Sequence, residues 1–327
     1  MTFTPETLDG LDALIFRGGK VRQPFASLSD DPAQRCLALQ EALQFVNPDT
    51  DSLFLAPGDF DWGQTKIVLP SSSNPKRRFL INGCGAGITR WLGSAMIDTI
   101  PPGTTDYSQV QWALGNTWLN GLSLLSYCIN PQEDGTATGF NTSQPGSARI
   151  SGCEIFANDW PVYSWSAGNT LLIEDSDVTS GRTCIAAEDS GPGQDFTVRR
   201  CRLYGDASLS KSVGASSNPV IGIVCGVMAR GGPMRVRDTD IFIKGGVLTG
   251  PSYCPRACGI SDFHAAESAG NTLIEIWNTR CSVDPNGADP SKCFDLELRA
   301  SYTQESYKLW PDAGGSEKRD GTWKKNF

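Results

Sequence analysis

The sequence predicts an all-β solenoid, a parallel β-helix capped by one α-helix at its N-terminal end. Three observations carry this: a recurring strand–corner–strand signature, a small residue after each corner, and a shortest repeat step of 23 to 25 residues. The copies are Ala148–Ile155, Leu171–Val178, Phe196–Leu203, Met234–Ile241 and Ile274–Cys281, with weaker ones ending at Ala86 and Leu124. Ser166-Ala-Gly-Asn-Thr-Leu171, which leads into the second copy, recurs as Ser268-Ala-Gly-Asn-Thr-Leu273.

The corner explains the signature. In Phe196-Thr-Val198 alternate residues face one way, with the strand period of two. Arg199 and Arg200 then interrupt the alternation before Cys201 and Leu203 resume the inward set. A strand skips a beat and keeps its buried face only by bending. The residue at the bend is in turn Gly83, Gly121, Gly152, Asp175, Arg200, Asp238 and Asn278. All but Arg200 belong to the types that tolerate left-handed backbone. Positive φ is therefore expected at most of Gly83, Gly121, Gly152, Asp175, Asp238 and Asn278, with Cys153, Ser176 and Cys201 stacked inside.

Along the chain, Met1–Leu28 shows no periodicity and is expected to be an arm. A capping helix is predicted over 31–47: Asp31 is the N-cap, Pro32 the first helical residue and Gln34 completes the start signal. Cys36, Leu39, Leu43 and Val46 make one apolar stripe, and Asn47-Pro48 ends the helix. Such a helix covers the edge that a first rung leaves open. The β-helix is predicted to run over 29–300, helix included. Three long loops, Gly205–Pro219, Gly245–Ala257 and Asp284–Lys292, leave after equivalent strands and are expected on one side. Ser301–Phe327 falls outside the repeat as an aromatic-rich tail.

Bulk composition narrows the function. A net charge of −8 disfavours nucleic acid as a partner, and no apolar run is long enough to span a bilayer. Met1-Thr-Phe-Thr-Pro-Glu6 lacks a secretory layout, so synthesis in a cytoplasm is expected. Eleven cysteines suggest a disulfide framework, but several fall on inward positions and the number is odd. Reduced core thiols are the reading favoured. No metal and no cofactor is expected, because Cys254-Pro-Arg-Ala-Cys258 has no second pair at zinc spacing.

Pro57-Gly-Asp-Phe60 and Ile81-Asn-Gly-Cys-Gly-Ala-Gly87, following helix and strand, resemble the start of the pectate-lyase-like right-handed β-helix superfamily. The resemblance implies a right-handed coil over roughly 30–300. The superfamily includes phage tailspikes, polysaccharide lyases and glycoside hydrolases, and the resemblance implies three-fold self-association. The pectinase segments Asn-Thr-Asp, Asp-Asp and Gly-His-Gly are missing; Asn278-Thr-Arg280 is the nearest, and His264 has no glycine neighbours.

Two outward columns follow from the alignment: Glu154, Asp177, Arg202, Asp240, Arg280, and Ser151, Glu174, Arg199, Arg237, Trp277. One reading makes Glu154, Glu174 and Asp177 catalytic carboxylates, with Trp160, Tyr163 and Trp165 as sugar-binding rings. The other makes the columns a structural charge ladder, since a carboxylate beside a guanidinium stays ionised. The ladder is favoured. The expected function is accordingly a phage virion structural protein, tailspike-like or capsid-decorating, made in the host cytoplasm. It acts by binding polysaccharide or neighbouring virion subunits, as a homo-oligomer. A polysaccharide lyase or glycoside hydrolase is the alternative.

Overall fold

The computed structural model describes residues 11–18, 20–27, 29–63, 67–95, 110–113, 115–128, 138–141, 146–158, 160–164, 170–187, 195–210, 223–229, 234–246, 256–261, 274–288, 293–298, 307–309 and 317–319. Among the described residues the chain is mostly β, with one α-helix and three long sheets of eleven, eight and nine strands. Pairing is parallel throughout except at the N-terminal end of the first sheet. From Asp51 onward the chain takes the sheets in rotation. Asp51–Leu55 joins the first, Gly58–Asp61 the second and Ile67–Val68 the third, and Phe79–Asn82 then returns to the first.

In-register pairing stacks like on like. On the inner side of the first sheet, Ile15, Leu53, Ile81, Leu119, Ile150, Ile173, Val198, Val236 and Ile276 follow one another strand by strand. All are buried and belong to one continuous core. The second sheet stacks Phe60, Trp91, Leu124, Ile155, Val178, Leu203 and Ile241 in the same way. β-branched and leucine side chains suit such a column because they fill the pleat with little rotamer loss.

The corners stand where the signature places them. Backbone φ is positive at Gly121, Gly152, Asp175, Arg200, Asp238 and Asn278. Gly83 departs from this, and Gly85 and Gly87 take the positive values instead. Gly83 is required for space: a Cβ there would stand 2.3 Å from the carbonyl oxygen of Gly121. The small residue after each corner has its own reason. Ser176 Oγ donates to the carbonyl of Glu174 (2.7 Å), Thr239 Oγ1 to Arg237 (2.8 Å) and Thr279 Oγ1 to Trp277 (2.9 Å). Cys153 and Cys201 point their thiols at the equivalent carbonyls, both at 3.3 Å. A small donor thus reaches the carbonyl two residues back, beside the bend. Cys36, Cys84, Cys153, Cys184, Cys201 and Cys281 are free thiols. Burial pushes the Cys153 thiol up to about 11 and those of Cys36 and Cys201 up to about 12.

The helix runs over Pro32–Phe45, with Asp31 Oδ1 accepting from the backbone N–H of Ala33 at 2.8 Å. Cys36, Leu39 and Ala42 enter the core, and Leu43 and Val46 pack against it. Where the sequence shows no periodicity, the structure has a hairpin: Ala13–Arg17 pairs antiparallel with Lys20–Phe25 and with Asp51–Leu55. Ala13 and Ile15 enter the core while Leu14 and Phe16 pack with Ala56 on the other face. A strand covered on both faces has no alternation to read. Its buried aromatics and aliphatics therefore serve this chain's own first sheet. Asp51 fastens the cap, accepting from Arg17 Nε (2.7 Å) and an Arg22 guanidinium N–H (2.9 Å) with its carboxylate fully buried. Past residue 300, Tyr307–Leu309 adds to the first sheet and Glu317–Arg319 to the third, so strand pairing extends into the tail.

The three long loops each follow a strand of the second sheet, namely Arg202–Asp206, Asp240–Lys244 and Arg280–Asp284. Most of their residues lie outside those described.

Candidate functional site

The outer face of the second sheet carries the longest column of charged side chains. The register sets Asp59, Arg90, Ser123, Glu154, Asp177, Arg202, Asp240 and Arg280 on successive strands. Within it, each arginine forks onto an aspartate one strand earlier. Arg90 meets Asp59 with two bonds of 2.6 Å, and Arg280 meets Asp240 at 2.8 and 3.0 Å. Arg202 forks onto Asp177, with Nε at 2.7 Å from Oδ1. Charge-assisted forks of this geometry are among the stronger hydrogen bonds. The bond from Arg280 keeps the Asp240 carboxyl below the usual carboxylate range, and Asp240 raises Arg280 in return.

Glu154 differs. It is exposed, and its partner among the described residues is a hydroxyl: Ser123 Oγ donates to it at 2.7 Å and itself accepts from the Gly87 N–H. Asp177 is its register partner on the next strand.

Glu174 lies on the first sheet, and its side chain is 1% exposed. Arg149 Nε reaches Oε1 at 2.6 Å, Arg199 Nε reaches Oε2 at 2.7 Å, and Arg200 Nη2 adds a contact at 3.2 Å. Burial alone would raise this carboxyl. The hydrogen bonds from Arg199 and Arg149 outweigh it and hold the group below the usual range. Arg149 also lies over the Trp118 ring at 4.1 Å. The structure thus brings Glu154 and Asp177 together on one sheet and sets Glu174 on another.

Trp160 and Tyr163 are stacked on each other, centroids 5.5 Å apart, and only 8% and 6% exposed. They cluster with Ala186, Cys225, Met228 and Cys258, so they present little ring face to solvent. These residues sit on strands of the third sheet, and the rings are packed as core is packed. Trp165 and His264 lie outside the described residues, as does Cys254.

Exposed rings stand on the second sheet instead. Phe156, Thr179, Tyr204 and Phe242 form the column two residues past the ladder, and Tyr127 tilts against Phe156 at 5.1 Å. Tyr127, Tyr204 and Phe242 are 48%, 41% and 46% exposed. The period of two gives the signal by which these are found: Tyr204 and Phe242 follow Arg202 and Asp240 by two residues and so share their face. Asp59, Arg90 and Ser123 carry no such signal in the sequence, because the repeat is weak before Ala148. Among the described residues no group of three or more His, Cys, Asp or Glu is placed to hold a metal ion, and no helix is long and apolar enough to cross a membrane.

No family model, curated protein or solved structure matched the chain.

Proposed function

We propose that the chain is a right-handed parallel β-helix of the pectate-lyase-like kind, working by binding along its flank and not by turnover. The rotation of strands through three sheets and the left-handed corners support the coil. The strong preference of parallel crossovers for one hand supports a right-handed winding. One observation carries binding over catalysis: of the three candidate carboxylates, Glu174 is enclosed by three guanidiniums and Asp177 is forked by Arg202. A general acid needs a raised pKa and access to substrate; Glu174 is buried and held below the usual carboxylate range, and both Asp177 oxygens are occupied by Arg202. The biological setting proposed is a virion, with the chain as a tailspike-like or capsid-decorating subunit. The exposed rings beside the ladder suit either polysaccharide or a neighbouring subunit.

The alternative, a polysaccharide lyase or glycoside hydrolase, draws on Glu154, which is exposed and held by a hydroxyl instead of a guanidinium. The test is incubation of the purified chain with acidic and neutral glycans over about pH 4–9. No product is expected. Product formation that disappears in Glu154→Gln would establish the enzyme reading. Proteomic recovery of the chain from purified phage particles tests the virion setting.

A further inference from the structure

We propose that the outer face of the second sheet binds a basic, proline-rich segment of a partner protein, held in the polyproline-II conformation. This rests on the flank-binding reading above and names the partner's chemistry.

The middle of that face is uncharged over most of its length. Register sets Leu92, Leu125, Phe156, Thr179, Tyr204 and Phe242 on six successive strands. Tyr127 leans on Phe156 from one side, and Tyr204 and Phe242 hold their rings in solvent. Contiguous exposed patches of this kind mark interaction sites. Asp61 precedes this stripe in register and Ser282 follows it.

Charge chooses the partner. Arginines fork onto Asp59, Asp177 and Asp240, and Lys244 reaches Asp206 at 3.4 Å. Three further carboxylates on the face take no bond from a basic side chain among the described residues. Glu154 accepts from Ser123, Asp61 from the Gly63 N–H and Asp284 from the Asn286 N–H. Asp61 and Asp284 lie on the two end strands of the sheet, and Glu154 lies on a strand between them. This surplus repels an acidic glycan and gives a neutral one no counter-charge to meet. Lysine and arginine side chains meet both carboxylates and ring faces.

Pitch chooses the conformation. Strands lie about 4.8 Å apart, so Leu92, Phe156 and Tyr204, which stand on alternate strands, recur about every 9.6 Å. A polyproline-II helix turns once in three residues of about 3.1 Å each, close to the same repeat. An extended strand presents like side chains about every 6.8 Å and falls out of step with this column. The strands between the two ends of the sheet already pair on both sides, so a partner is held by side chains and not by strand addition. Twelve residues of polyproline-II span about 37 Å, against roughly 34 Å for the eight strands of the face. Being pre-formed, such a segment also loses little entropy when it docks on aromatic rings.

The experiment is fluorescence anisotropy of a labelled twelve-residue Pro-Pro-Lys repeat titrated with the full chain. Saturable binding is expected, weaker at higher salt. Tyr204→Ala, which removes a ring, and Glu154→Lys, which reverses an unpaired charge, are each expected to raise Kd at least about tenfold. A Pro-Pro-Glu repeat of the same shape is expected not to bind. A Gly-Ser-Lys repeat of the same charge is expected to bind at least about tenfold more weakly. Circular dichroism and melting report the folding of each variant, and Phe242→Ala replaces Tyr204→Ala if the latter unfolds. Absence of binding by the Pro-Pro-Lys repeat overturns the proposal, as do variants that bind it unchanged or equal binding of either control peptide. Capture of glycan or phage particles that Tyr204→Ala abolishes, with no binding of the peptide, overturns this partner alone and leaves flank binding standing.

Discussion

Glu174 shares its two oxygens among three guanidiniums, and its side chain is almost fully buried while those arginines keep 29–47% of theirs exposed. Removing the charge leaves cations facing one another beside an apolar sheet. Glu174→Gln is expected to lower stability by roughly 1–3 kcal/mol, the upper end being reduced by solvent screening of the arginines. The sign with pH follows from the depressed pKa. The stabilisation is complete above the unfolded carboxyl value of about 4.3 and is lost as pH falls through the lower folded value. Chemical denaturation at several acidic pH values checks this: the variant should lose stability less steeply below about pH 4 than the wild type does.

The corner is the element on which the fold turns, and it works through two residues acting together. Asp238 takes φ of 49°, and Thr239 behind it donates to the Arg237 carbonyl. A β-branched residue at such φ is strained, so Asp238→Val is expected to cost about 1–2 kcal/mol or more. Asp238→Gly relieves the backbone but loses the bond from Asn278 Nδ2 at 2.7 Å, and should fall between the two. Thermal melts of the three proteins give the ranking. Equal melting of the valine and glycine variants would remove φ as the reason for these residue types. Arg200 makes the point from the other side. It tolerates φ of 53° while Asp175 holds its guanidinium at 2.7 and 2.8 Å.

At the scale of the molecule, stability passes from strand to strand, each contacting mainly its neighbours in a sheet. The end therefore matters. The hairpin and helix at the N-terminus cover the first strand, and Arg35 ties them together: it bonds Asp12 and the Pro57 carbonyl, both at 2.6 Å, and lies over Phe60 at 4.6 Å. Deleting residues 1–28 removes two strands of the first sheet and the arginine partners of Asp51. It leaves a buried carboxylate and an open strand edge. The truncated chain is expected to melt lower and to aggregate, seen by differential scanning fluorimetry and static light scattering. A truncated chain that melts unchanged would return residues 13–25 to the status of a dispensable arm.

The sequence by itself determined the repeat, its corners, the inward small column and the capping helix. Each is a local rule: side chains alternate along a strand, only certain residues accept left-handed backbone, and an aspartate before a proline starts a helix. The ladder too was legible as a column, because register in a parallel sheet follows once the repeats are aligned. Tertiary structure alone decided what those columns face. The hairpin at Ala13–Phe25 was hidden because burial on both faces erases periodicity. Trp160 and Tyr163 read as sugar-binding rings, yet both are buried in an apolar cluster on strands of the third sheet, and exposure passes to Tyr204 and Phe242. Whether a side chain on an outer face meets solvent depends on what packs over that sheet, and no spacing along one strand encodes it.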